Sequence, residues 1–116
     1  MLTVRRQQDV LTVATQVEIA ESLTSQIRGL IGRDRLTEGQ GLLFRGCSSV
    51  HTLFMSFPID VVYLDNKQTV VGVDINLRPW RVGGIYWGAK HVLELRCYTA
   101  GLLKKGDKLE FIEDGV

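Results

Sequence analysis

Short runs in which apolar and polar residues alternate, punctuated by glycine- and aspartate-bearing turns, constrain this chain more than any other feature. In "VLTVATQVEIA" (Val10 to Ala20), Leu11, Val13 and Val17 fall on one side with polar residues between them. A period of two belongs to a strand with one buried face, because successive side chains leave a pleated backbone in opposite directions. "TVVGVDINL" (Thr69 to Leu77) repeats the pattern. Val71, Val73, Ile75 and Leu77 share one face, and Gly72, Asp74 and Asn76 share the other. This run follows "DVVYLD" across the polar turn "DNKQ", which is a hairpin signature.

"GLLF", "VHTLFMSF", "HVLEL" and the run after "GDK" near the end supply further strands, for a total of seven or eight. Phe, Met and β-branched residues make Val50 to Phe57 read as a buried strand. One helix is expected: Ser22 can cap it, Leu23, Ile27, Leu30 and Ile31 recur at helical spacing, and Gly32 can end it. "TAGLLKK" has room for one helical turn. Strands and helices do not alternate, which argues against a parallel α/β sheet. The expected fold is mainly β, an antiparallel sandwich of jelly-roll type or a partly open barrel, with a short α-helix near residues 23–31.

Length and charge narrow the function classes. A chain of 116 residues reads as one domain, residues 1–116. Fourteen Lys and Arg against thirteen Asp and Glu leave a net charge of +1, too weak a field to call for nucleic acid. The basic pair Arg5–Arg6 is followed by Gln7, Gln8 and Asp9, so no secretory signal is read. No segment approaches the ~18 apolar residues of a membrane span. The expectation is a cytoplasmic protein, a monomer or weak homodimer, that needs no cofactor and meets a small molecule or another protein.

The densest chemistry lies in "CSSVHTLFMSFPID", Cys47 to Asp60. A cysteine–histidine pair needs sulfur and imidazole in hydrogen-bond reach. On a strand, four residues span ~13 Å, so Cys47 and His51 meet only if "GCSS" bends back. A small buried cysteine at a strand start is the plainer reading of Cys47, since free cysteine is among the most buried residue types. His51 with Asp60 is the better combination, because Pro58 breaks the strand and can re-aim Asp60 toward His51. Equally, Asp60 can hold the bend by accepting backbone N–H groups. Zinc needs three or four ligands, and of the donors Cys47, Cys97, His51 and His91 the pair His91 and Cys97 reads as packed. A mixed site from His51, Asp60 and a third group is the minor alternative, and no metal is expected. His91 and Cys97 share strand parity with Leu93 and Leu95, which reads as packing.

Arginine next to tryptophan is the second signal. Arg78 and Arg81 bracket "PW", and "RPWRVGGIYWG" adds Tyr86 and Trp87 on a glycine-rich loop. Guanidinium groups stack on aromatic faces and grip carboxylate or phosphate in a bidentate manner. Arg33, His51, Met55, Asp60, Trp80 and Arg81 are therefore the candidate ligand-binding residues, and His51, Asp60 and Cys47 the candidate catalytic ones.

Several motifs in order give these residues a family likeness. "IRGLIGR", "GLLF", "VHTLFMSFPIDVVYLD", "LRPWR", "HVLEL" and a late "GD" at Gly106–Asp107 together resemble the bacterial and archaeal domain of unknown function 192, over roughly Val17 to Phe111. Much of that family reads Trp-Met-Lys-Asn-Thr where this chain has Phe54-Met55-Ser56-Phe57, so the likeness is to its His-Thr branch. The resemblance implies a compact β-rich fold and no particular reaction. A ligand- or partner-binding module is the leading expectation. The alternatives are a hydrolase or transferase using His51 with Asp60 or Cys47, and a structural or assembly protein.

Overall fold

Seven strands follow one another along the chain: β1 (Leu2–Arg6), β2 (Thr12–Ala20), β3 (Gln40–Arg45), β4 (Ile59–Leu64), β5 (Val70–Leu77), β6 (His91–Arg96) and β7 (Leu109–Glu113). The computed structural model describes residues 1–20 and 35–113, so the helix expected at 23–31 and Arg33 lie outside the described residues. The strands form one sheet in the order β5-β4-β6-β3-β2-β1-β7. Its two edges meet at one end, where Thr69 bridges Lys108, the Val70 N–H donates to the Asp107 carbonyl and the Gly106 N–H to the Val70 carbonyl. The sheet thus curls into a half-barrel, the partly open barrel among the expected folds.

Every pairing is antiparallel except β2 with β3, which runs parallel from Gln16↔Gln40 to Ala20↔Phe44. A parallel pair cannot be joined by a hairpin and needs a long crossover. Residues 21–39 are that connection. β1 also joins the sheet from a stretch whose sequence stood out only for its basic pair.

The central strands are buried on both faces, all six residues of β4 and the middle four of β3 and β6. Val62, Leu64, Leu93, Leu95 and Leu43 pack inside the curl with Val17, Val4 and Leu109. On the opposite face Ile59, Val61, Tyr63, Val92, Leu42 and Phe44 pack against Met55, Phe57 and Ala89 from the loops. Doubly covered strands lose alternation, which explains the near-continuous apolar runs "GLLF" and "DVVYL".

Three local expectations are corrected. Val50 to Phe57 is a series of turns with a single bridge, His51↔Val82. Thr52 and Met55 are buried three apart, and the Met55 N–H bonds the Thr52 carbonyl, a turn spacing that a uniformly apolar segment does not distinguish from a strand. In β5, bulges opposite Tyr63/Leu64 and Ile59/Val61 break the alternation. Val70 and Val73 consequently share the inner core, while Val71 and Leu77 reach the outer one. The segment "TAGLLKK" forms turns, closed by the Leu103 N–H on the Ala100 carbonyl.

Candidate functional site

Two loops over the outer face are locked together by one buried threonine. Thr52 donates its N–H to the Arg81 carbonyl (2.8 Å), and its carbonyl accepts the Trp80 N–H (2.9 Å). Its hydroxyl donates to the Arg78 carbonyl and accepts the Arg81 N–H at 2.9 Å. The Val50 carbonyl adds a bond from the Gly83 N–H at 3.0 Å. The clamp brings Phe54 and Trp80 into contact, with ring centroids 4.7 Å apart and planes tilted by 59°. Both residues hold left-handed backbone, φ +67° and +62°. That conformation costs a non-glycine residue ~1–2 kcal/mol, so the surrounding bonds must hold it.

Neither ring is hidden by this packing: Phe54 is 65% and Trp80 55% exposed. Val82, Ile85 and Trp87 continue the apolar surface along the second loop, Trp87 being 97% exposed. Arg78 and Arg81 are exposed beside them, and among the described residues neither is ion-paired. Replacing Thr52 by valine keeps its volume and removes the hydroxyl. The expected cost is about 1–2 kcal/mol, from one lost hydrogen bond and one partly buried N–H left short of an acceptor. Amide exchange at Arg81 should accelerate, and an unchanged rate there would contradict the clamp.

Beneath the second loop, Asp74 gathers three donors. Tyr63 Oη lies at 2.8 Å, Tyr86 Oη at 2.6 Å and the Gly84 N–H at 2.8 Å. The tyrosine rings pack at 4.5 Å. Burial, followed by the bond to the Asp74 carboxylate, pushes the Tyr86 hydroxyl up to about 12 and raises Tyr63 for the same causes. Both remain protonated donors at neutral pH. Position 72 must be glycine here, since a Cβ would overlap the Tyr86 ring.

The expected residues do not gather in one place. His51, Trp80 and Arg81 belong to the clamped loops, with His51 exposed and its Nδ1 accepting the Leu53 N–H at 3.2 Å. Met55 packs beneath them in the outer core. Asp60 lies in β4 opposite Leu95 of the inner core, fully buried, and takes the Asn76 N–H at 2.9 Å and the Ala100 N–H at 2.8 Å. Cys47 is half-buried, its thiol bonding the Ser49 carbonyl. No hydrogen bond joins Cys47, His51 and Asp60 to one another. Cys97 donates to Asn76 Oδ1, and burial with nearby Asp60 raises its thiol, which disfavours the reactive thiolate. His91 is half-buried and holds the Gly46 N–H on Nδ1, with Nε2 beside Asn66 Oδ1.

Sequence reasoning passed over Glu94. It sits at the middle of β6, flanked by Val61 and Leu42, and is 7% exposed. Among the described residues no hydrogen bond or ion pair reaches its carboxyl. Burial alone pushes it up to about 8. The available signal was a charged residue inside "HVLEL", beside two other runs apolar enough to be covered on both faces.

The model of the domain of unknown function 192, described as an uncharacterized ACR, matches residues 3–111. The chain belongs to that family. It is 36% identical over 105 residues to a UPF0127 protein of Pyrococcus abyssi, covering 84% of this chain and 86% of that one. A UPF0127 protein of Thermococcus sibiricus is 31% identical over 83 residues, 68% of this chain and 53% of that one. Two solved structures share the fold of this member of the domain of unknown function 192 family at 21% identity. A protein of unknown function from Novosphingobium aromaticivorans superposes with a TM-score of 0.79, over 94% of this chain and 82% of that one. A protein from Sinorhizobium meliloti, described as a candidate transcription regulator, superposes with a TM-score of 0.77 over 95% and 91%. Among the described residues, no helix is long and apolar enough to cross a membrane.

Proposed function

We propose that this chain is a binding module whose contact surface is the clamped pair of loops, 50–57 and 78–87. The observation that carries the reading is the Phe54–Trp80 pair, exposed yet fixed in left-handed backbone. Large aromatic side chains left in water on a rigid support mark contact surfaces, because removing them from water supplies binding free energy without new ordering. Arg81, Arg78 and His51 provide the polar rim, and Met55 anchors the first loop in the outer core. Asp60 acts at a distance, by holding the edge strand that carries the second loop.

A thermal-shift screen of wild type against a Phe54→Ala/Trp80→Ala variant tests this. Ligands or partners that bind the native state raise its melting temperature. Those acting through the rings should shift the wild type by several degrees and leave the variant unmoved. Ligands that shift both equally would place binding elsewhere. The hydrolase or transferase alternative has less support, since Cys47, His51 and Asp60 are held by separate partners.

A further inference from the structure

The geometry points to an extended acidic peptide segment as the partner of this face, added as a strand along β5 with its carboxylates at Arg78 and Arg81. The inference rests on the binding role proposed above and names the class of partner. β5 ends the sheet, so its outer side has no neighbouring strand. The start of that edge is closed: Val70 is bonded to Gly106 and Asp107, and the Tyr86 hydroxyl sits on the Val73 carbonyl at 3.2 Å. From Asp74 to Leu77, the main-chain groups make no bond to described backbone outside β4; the Gly84 N–H reaches only the Asp74 side chain, and the Asn76 N–H turns inward to Asp60. That stretch spans about 10 Å and is bulged at Asn76, so the edge it offers suits a short added strand of a few residues.

The free stretch coincides with a shallow cleft of about 410 Å³, whose lining includes Ile75, Asn76, Leu77, Arg78, Arg81 and Val82. Ile75 is 42% and Val82 73% exposed, so the cleft offers apolar contacts to alternate side chains of a strand. Its charge is one-sided. The acid in its lining, Asp74, already receives three donors, whereas the two arginines meet no carboxylate among the described residues. A carboxylate-bearing segment satisfies the guanidinium groups in bidentate fashion, and an extended backbone satisfies the edge. Nucleic acid offers anions without strand-forming backbone, and an anionic vesicle offers neither the backbone nor the alternation.

Fluorescence anisotropy with capped, labelled nine-residue peptides tests the inference. An alternating Glu–Val peptide should bind the wild-type chain. Its Gln–Val analogue, and a Glu–Val peptide N-methylated at alternate residues, should each bind at least tenfold more weakly. Arg78→Ala/Arg81→Ala and Ile75→Pro should each lose at least tenfold for the Glu–Val peptide, with circular dichroism unchanged. Equal binding of the three peptides would overturn the inference, as would none at millimolar concentration. Binding of labelled oligothymidylate or phosphatidylserine vesicles in place of the peptide would also overturn it. If peptides fail while some other ligand is lost in Phe54→Ala/Trp80→Ala, the broader binding reading survives and this inference falls. If the acidic peptide binds that variant undiminished, the edge assignment survives and the ring platform falls.

Discussion

Replacing Glu94 with glutamine is expected to stabilise the protein above pH 6 and to flatten the dependence of its stability on pH. The carboxyl is buried at the centre of the sheet, and its value rises from 4.5 to about 8 on folding. In this case the folded state holds the proton more tightly than the unfolded chain. The stability tied to that proton is therefore complete below pH 4.5 and is lost as pH rises toward 8. At about 1.4 kcal/mol per pKa unit, the loss is at most about 5 kcal/mol. Every fully buried polar side-chain atom among the described residues has a partner, so the Glu94 carboxyl meets solvent through its small residual exposure, which lowers that ceiling. An amide mimics the protonated acid and never ionises. Urea denaturation should find the two proteins alike near pH 4.5 and the glutamine variant about 2 kcal/mol more stable near pH 8.5. Parallel stability curves would show that Glu94 is ionised and solvated in the fold.

Glu94 also shows where the sequence ceases to inform. Alternation located β2 and β5, and the polar turn between "DVVYLD" and "TVVGVDINL" located their hairpin, because the rules involved act within a few residues. Which face of a strand is covered depends on distant segments. Read with one solvated face, Glu94 in "HVLEL" belongs in water. Once loops 50–57 and 78–89 lie over that face, the same parity buries it. The segment Val50 to Phe57 failed for a related reason. Its apolar residues suit a strand, yet the hydrogen bonds from Thr52 reach to residues 78–81, and that long-range clamp selects turns. Arginine beside tryptophan was legible as a surface feature. The contact of Trp80 with Phe54 was not, since 26 residues separate them. The parallel pairing of β2 with β3 is likewise set by what the intervening crossover permits, and period two carries no strand direction.

Removing the Asp60 side chain, by Asp60→Ala, is expected to cost about 2–5 kcal/mol, because two backbone donors then lose their acceptor away from bulk water. One is the N–H of Asn76, in the β5 bulge, where φ is +55°. The other is the N–H of Ala100, fully buried at the turn after β6. A single carboxylate on β4 thereby ties an edge-strand irregularity 16 residues along the chain to a turn 40 residues along it. Asp60→Asn is the sharper probe. Its carbonyl oxygen can serve one N–H, while its NH₂ faces the other donor, so about 1–3 kcal/mol should still be lost. Amide exchange should speed up at Asn76 and Ala100 together, and any binding at the β5 edge should weaken in proportion to the loss of order there. The opposite pattern, unchanged stability with binding abolished, would mean that the carboxylate meets the ligand itself. Pro58 contributes to this arrangement. It ends the turn-rich segment just before β4, so that Ile59 turns to the outer core and Asp60 inward, toward the two N–H groups it holds.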